Sequence, residues 1–307
     1  MSGLNGVKKR LRASLRALAG VEPVAMPVPS GPASIPPPVL SSTVSIAEPP
    51  PPSEEAPPSE EAPPSEEAPP SEEAPPAEPA PNTPFEMGRW LAASRYLHGE
   101  GLEIGALNQP LRVPPTAHVK YVDRMSVADL RTHYAELAHL DLVEPDIIDN
   151  GETLTTIGSE SQDFVIANHF LEHCEDPIGT IKNLLRVLKR GGILYLAVPD
   201  KRFTFDHERP STSIEHLLRD HAEGPTWSKH QHFEEWTQFV HKVEGEEAIA
   251  QHVAFLLGMD YSIHYHAWTQ FELLELLIIL RRDFALLFDT EMTIKNELEF
   301  IMILRTI

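Results

Sequence analysis

Glu103 and Asp123 are carboxylates twenty positions apart, and each lies at or near the end of a short apolar run. The first run, Gly101-Leu102-Glu103-Ile104-Gly105-Ala106-Leu107, ends in a glycine-bearing turn; the second is Val119-Lys120-Tyr121-Val122-Asp123. A strand, a glycine turn, a helix and a second strand tipped by an acid is how an open α/β sheet holds an adenosine-type ligand. Small residues let the ligand approach the backbone, and the acid accepts hydrogen bonds from ribose hydroxyls. Gly105 is followed by Ala106, Leu107 and Asn108, so the G-x-G-x-x-G dinucleotide fingerprint is not met. Alone, this stretch fits a buried strand with an ordinary turn equally well.

Histidines supply the second set of candidates. His169-Phe170-Leu171-Glu172-His173 spells H-x-x-E-H, the inverted form of a zinc-protease motif. That reading needs one continuous helix. Instead, the apolar run Phe164-Val165-Ile166-Ala167-Asn168 leads as a buried strand straight into His169, and Asp176-Pro177 restarts the chain soon after. His169 is therefore expected to face a site at a strand tip, with Glu172 and His173 fixing the loop. An imidazole titrating near neutrality suits removal of a proton from a hydroxyl. His169 is the first choice for that task, with His173 and His207 behind it. His230-x-His232 and His264-x-His266 would each place two rings on one face of a strand. No carboxylate partner can be named for them, so no metal ligand is assigned.

The elements that position these residues follow from periodicity. A helix is expected at Phe85 to Leu97, then strands at Leu102–Gly105 and Val119–Asp123, a helix at Val127–Leu137, and a short strand at Asp146–Asp149. Phe164–Asn168 is the fourth strand. Asp176-Pro177 opens an amphipathic helix whose buried face is Ile178, Ile181, Leu184, Leu185 and Leu188, stopped by Gly191-Gly192. The fifth strand is Ile193–Val198. Residues 200–262 are polar and rich in His, Trp and Phe, with no strand alternation. A helix at Thr269–Leu280 precedes two strands, Phe284–Asp289 and Leu298–Leu304, too close in sequence for a crossover and therefore paired antiparallel. The expected fold is α/β: a Rossmann-like, doubly wound, seven-stranded and mostly parallel sheet with a C-terminal antiparallel hairpin, behind a disordered N-terminal region.

Composition divides the chain. Residues 1–20 carry Lys8, Lys9, Arg10, Arg12 and Arg16 and no acid, with Leu4, Val7, Leu11, Leu15 and Leu18 at helical spacing. This is a basic amphipathic helix suited to an anionic membrane surface or a protein partner. Residues 21–84 hold eleven glutamates, no Lys or Arg, and four tandem Pro-Pro-Ser-Glu-Glu-Ala repeats, which read as an extended, disordered spacer. Residues 85–307 keep 20 basic and 35 acidic side chains, an acidic balance that argues against gripping nucleic acid. The single Cys174 excludes a disulfide framework and points to a reducing, cytoplasmic setting, membrane-peripheral where the basic helix meets lipid.

Several motifs carry a resemblance over residues 85–307. They are Leu102-Glu103-Ile104-Gly105-Ala106, Tyr121-Val122-Asp123-Arg124, Asp163 through His173, Asp176-Pro177, Leu185 through Gly192 and Phe205-Asp206-His207-Glu208-Arg209-Pro210. With the strand order, these resemble class I S-adenosylmethionine (SAM)-dependent methyltransferases of the type-11-like group, similar to those of bacterial polysaccharide biosynthesis. The resemblance implies SAM as cofactor, with Glu103, Gly105 and Ala106 against its methionine part, Asp123 on the ribose, Asp149 near the adenine, and Asn168 and His169 lining the transfer site. It further implies a small-molecule or glycan acceptor, with a sugar hydroxyl expected, held under an insertion at 200–266. There, Asp200, Arg202, Asp206, His207 and Arg209 with Phe203, Phe205, Trp227 and Trp236 could form a sugar pocket. The alternative is a non-catalytic module that keeps the fold and is positioned by its N-terminal helix and spacer.

Overall fold

The computed structural model describes residues 83–134 and 137–307. The expected basic helix and nearly all of the expected spacer lie outside the described residues. Thr83 caps helix α1 (Pro84–Tyr96): its hydroxyl accepts the Glu86 N–H while the Glu86 carboxylate accepts the Thr83 N–H, and proline occupies the first turn where no donor is needed.

Strand β1 (Gly99–Ile104) lies between β2 (Ala117–Asp123) and β4 (Gln162–Asn168), parallel to both, and the two-residue β3 (Ile147–Ile148) pairs with β2. Residues 105–116 between β1 and β2 form an irregular loop, not the helix of the nucleotide-binding pattern. Pro110, Pro114 and Pro115 are the reason, since each removes an amide donor that a helix would use. After β2, Ser126 caps α2 (Val127–His133), which stops short of the expected Leu137 as Tyr134 closes it on Leu130; residues 135 and 136 lie outside the described residues.

Asp176 caps α3 (Pro177–Val187), with Ile178, Ile181 and Leu184 buried as the periodicity requires. Leu188 belongs instead to β5 (Leu188–Pro199), so the helix passes directly into a strand. The glycine pair does not stop the helix: Gly191, at φ +79, lies where the β4–β5 register shifts between Gln162 and Phe164. The polar stretch that follows is helical: α4 (Ile214–Glu223), α5 (Thr226–Glu235), a π-turn at Trp236–Val240, and α6 (Glu246–Gly258). Phe233, Trp236, Val253, Leu256, Tyr261, Ile263 and Tyr265 give this insertion its own core.

Thr269 and Glu272 form a second capping box for α7 (Gln270–Asp283). The helix extends to Asp283, so the strand expected at Phe284–Asp289 begins later, as β6 (Phe288–Asn296), hairpinned to β7 (Glu299–Thr306). The sheet order among the described residues is β3-β2-β1-β4-β5-β7-β6, and β7 alone runs opposite to the other strands, antiparallel to both β5 and β6. Alternation on β5 sends Leu194, Leu196 and Val198 into the core under α3 and α7, and Ile193, Tyr195 and Ala197 into the core under α1. Among the described residues no helix is long and apolar enough to cross a membrane.

At Gly101, close packing leaves no room for a side chain. A Cβ there would lie 2.4 Å from the Phe164 ring of the neighbouring strand. Gly101→Ala should lower stability by about 1–3 kcal/mol through overpacking, seen as a lower urea midpoint with an unchanged slope. An unchanged midpoint would mean that the β1–β4 contact is looser than described.

Candidate active site

The strand order reverses between β1 and β4, and open α/β sheets bind ligands at such a crevice, outside the carboxyl ends of their strands. Glu103, Gly105 and Ala106 close β1 there, Asp123 ends β2, and Asn168 and His169 end β4. Gly105 sits at φ +63, a conformation glycine adopts without strain, and the space on its Cβ side is open. Beside the tips of β2 and β3 an open depression of about 680 Å³ is lined by Arg124, Met125, Ser126, Asp129, Ile148 and Met259, among others.

Glu103 is 1% exposed. Its carboxylate accepts the Leu111 N–H at 2.9 and 3.0 Å, which fastens the proline-rich loop to β1, and the Asn168 amide lies 3.4 Å away. Burial drives its pKa up to about 7, against the lowering effects of the Leu111 bond and the Arg89 charge. The Asn168 Oδ1 is buried without a hydrogen-bond partner. Asp123 accepts the Met125 N–H at 3.1 Å, and burial raises its pKa too.

Asp149 is differently employed. Both its oxygens accept bonds from the loop it starts: Asn150 N–H at 2.7 Å, Thr155 Oγ1 at 3.1 Å, Thr156 N–H at 2.8 Å and Thr156 Oγ1 at 2.7 Å. Partial desolvation is outweighed by these bonds, which together lower its pKa. These bonds shape residues 150–156.

The strongest constraint on the site comes from Glu299, the first residue of β7, which sequence reading did not single out. Its side chain is fully buried. It accepts two bonds from Arg89 of α1 at 3.0 and 2.7 Å, one from the Asn296 amide at 2.6 Å, and one from His169 Nε2 at 2.7 Å. Although burial opposes ionisation, the Arg89 and His169 bonds prevail and hold its pKa down at about 2. An ionised carboxylate can only accept, so His169 Nε2 carries the proton and donates it. In the neutral ring Nδ1 is then the basic nitrogen, and it lies 3.8 Å from Glu172. His169 has φ +47, a left-handed turn that lifts its ring off the strand end. Topology could have flagged Glu299, because the first residue of an antiparallel strand lies beside the carboxyl ends of its parallel neighbours, here opposite Pro199.

The other two histidine candidates are placed elsewhere. Burial and the neighbouring His264 push the His173 pKa down to about 3, and its Nδ1 faces the Ile263 carbonyl at 2.9 Å and Ser262 Oγ at 3.1 Å, a loop-fixing role. His207 is exposed and keeps its contacts local, with the Thr204 carbonyl and Glu208. Glu172 fixes the loop through its backbone, whose carbonyl accepts from Tyr265 at 2.8 Å, while both its side-chain oxygens are buried without hydrogen bonds. The H-x-x-E-H run is a strand tip, a left-handed residue and a 3₁₀ turn at Leu171–His173, so its residues do not share one face of a helix. In the insertion, Arg209 is buried and donates to Asp206 and to the His264 and Tyr265 carbonyls. Asp206, Arg209 and Trp236 thus serve the insertion's interior, while Phe203 and Trp227 remain partly exposed beneath Lys295 and Arg219.

Glu299→Gln tests the clamp. The folded pKa lies below the ordinary glutamate value of 4.5, so the stabilisation is full above that pH and is lost as pH falls toward about 2. The variant should lose about 3 kcal/mol at neutral pH and show a shallower stability decline between those two pH values. Equal acid sensitivity in both proteins, followed by denaturant titration at several pH values, would contradict the assignment.

Residues 104–196, from the end of β1 through β5, match a family model described as a methyltransferase domain. No curated protein matches the chain. Among solved structures, it is similar to a SAM-dependent methyltransferase from Methanosarcina mazei, with 17% identity over 69% of this chain and 95% of that chain and a TM-score of 0.37. A SAM-dependent methyltransferase from Thermotoga maritima gives 17%, 73%, 98% and 0.34 in the same order. A Rhodobacter sphaeroides structure named for zinc-dependent alcohol dehydrogenases gives 12%, 74%, 91% and 0.45. Overall likeness at these scores carries no functional argument; the domain match, together with the seven-stranded order, does. Residues 104–196 carry a methyltransferase domain, which implies S-adenosylmethionine as its cofactor.

Proposed function

We propose that this domain transfers a methyl group to a hydroxyl of a small-molecule or glycan acceptor, with His169 as the general base. The observation that carries the reading is the 2.7 Å contact between His169 Nε2 and the buried Glu299. A base works best when its tautomer and direction are fixed before the substrate arrives. Glu299 fixes both, leaving Nδ1 to take the hydroxyl proton. S-adenosylmethionine, when bound, supplies an electrophilic methyl group on a cationic sulfonium.

The residues at the crevice fit such a ligand. Gly105 leaves open space at the turn, and the buried Asn168 Oδ1 lacks a partner, as a group awaiting a donor would. Glu103 and Asp123 bring negative charge to a cationic ligand, and a carboxylate such as Asp123 can accept from two ribose hydroxyls. Ala106 and the first turn after β1 border the same crevice, and Asp149 supports it indirectly through its loop. The preference for a sugar hydroxyl rests on resemblance to enzymes of polysaccharide synthesis. The basic segment 1–20 and its acidic, proline-rich spacer would tether the domain to an anionic membrane or a protein partner.

Titration calorimetry of the full chain with SAM and its demethylated product should show binding of both, weakened about 10-fold or more in Asp123→Ala. Failure of either ligand to bind the folded protein would favour the non-catalytic module. Once an acceptor is found, His169→Ala should reduce turnover about 10²–10⁴-fold while cofactor binding persists; unchanged turnover would remove His169 from the role.

Glu103 generates a separate expectation. Its pKa of about 7 means that an arriving cation should expel part of its proton near neutral pH. The SAM binding enthalpy should therefore depend on the buffer's ionisation heat, and this dependence should vanish in Glu103→Gln. No buffer dependence in the wild-type protein would place the cation away from Glu103.

A further inference from the structure

His216, Asp220, His232 and His266 converge inside the insertion, with one ligating atom from each lying within 4.8 Å of all the others. His216 and Asp220 are four residues apart on α4, hence on one face of that helix. His232 comes from the end of α5, and His266 from the extended segment before α7. The His216 side chain is 18% exposed and that of Asp220 is fully buried, while the residues His232 and His266 are 4% and 1% exposed.

Their polar atoms are poorly satisfied by protein alone. Neither ring nitrogen of His266 has a hydrogen bond, nor has His232 Nδ1 or Asp220 Oδ2. The Glu175 carbonyl is close enough to His266 to favour its charged form, but lies outside hydrogen-bond geometry. Ser228 holds Asp220 Oδ1 at 2.7 Å, which leaves Oδ2 turned toward the histidines. His216 Nε2 lies 3.0 Å from His232 Nε2 and 3.0 Å from Asp220 Oδ2. A single N–H on His216 Nε2 cannot donate to both His232 Nε2 and Asp220 Oδ2. Arg209 contributes charge to this region, but its guanidinium is committed to Asp206 and two carbonyls.

The three imidazoles pack edge to face around one another. His216 and His232 are inclined at 73°, His216 and His266 at 75°, and His232 and His266 at 75°, with centroids 4.8, 5.9 and 5.1 Å apart. Trp268 stacks on His266 at 9° and fixes that ring's plane. Tetrahedral zinc with bonds of about 2.0–2.1 Å sets its ligand atoms about 3.3 Å apart; the His216–His232 and His216–Asp220 separations are 3.0 Å, and all four atoms lie within 4.8 Å of one another.

We propose that His216, Asp220, His232 and His266 bind a divalent transition-metal ion of the zinc type in tetrahedral geometry. Four protein ligands close the coordination sphere, so the ion is structural. It joins α4, α5 and the segment before α7, and thereby fixes the insertion over the carboxyl end of the sheet. The sequence pairs divide between two environments: His232 and His266 enter this cluster, while His230 pairs with Glu234 and His264 with Asp206. Asp220 is the carboxylate that spacing alone did not reveal.

The test is metal analysis of the untagged full chain, grown with zinc and gel-filtered, beside Asp220→Asn, His266→Ala and His230→Ala. About one zinc per chain is expected in the wild type and in His230→Ala, with only traces in the other two variants. If those variants fail to fold, cobalt added to chelator-stripped wild-type protein decides, because tetrahedral N/O coordination gives intense visible bands that zinc then abolishes. A wild-type chain that holds no transition metal and takes up neither zinc nor cobalt would overturn the proposal. So would full metal content in folded Asp220→Asn and His266→Ala. Neither readout depends on methyl transfer or on the acceptor.

Discussion

A fully buried, ionised Glu299 is the constraint around which this domain's active edge is built. A carboxylate removed from water must be matched by charge and hydrogen bonds, or the fold suffers several kcal/mol. Arg89, Asn296 and His169 provide that match from α1, the β6–β7 turn and the tip of β4. Three parts of the chain distant in sequence are thereby held to one point. The antiparallel direction of β7 is what makes this geometry available, because it brings the strand's first residue to the carboxyl edge of the sheet.

Two glutamates feel the charge of Arg89 and titrate far apart. Glu299 has direct guanidinium bonds and is held near 2, whereas Glu103 has only the more distant charge and the Leu111 N–H, and is raised to about 7. Such divergence between neighbouring carboxyls marks a division of labour. Glu299 is a permanent anion that orients His169. Glu103, raised by burial to about 7, is divided between its charged and neutral forms near neutral pH.

The sheet was largely legible in the sequence because its strands are either continuous apolar runs, such as Phe164–Asn168, or end in acids, as at Asp123. The irregular loop after β1 was legible too, since Pro110, Pro114 and Pro115 each remove a donor that a helix would need. The start of β6 was misplaced because α7 continues through Arg281 and Arg282 to Asp283, and exposed charged residues do not mark a helix end by periodicity. The positions of Glu103, Asp123, Asn168 and His169 at or beside strand ends were legible because each closes an apolar run. Glu299 and Arg89 did not, since their pairing spans 210 positions and leaves no local signal. The histidines of the insertion were visible as residues, but their partners depend on how α4 and α5 pack.

The central claim is that Glu299 fixes the His169 ring with its proton on Nε2 and Nδ1 free to accept. The direct measurement is a long-range ¹H–¹⁵N correlation spectrum of the histidine side chains at neutral pH, with the His169 signals identified by their loss in His169→Asn. A single tautomer, protonated at Nε2 with an unprotonated Nδ1, is the predicted result. A proton resident on Nδ1, or two tautomers in exchange, would contradict the account.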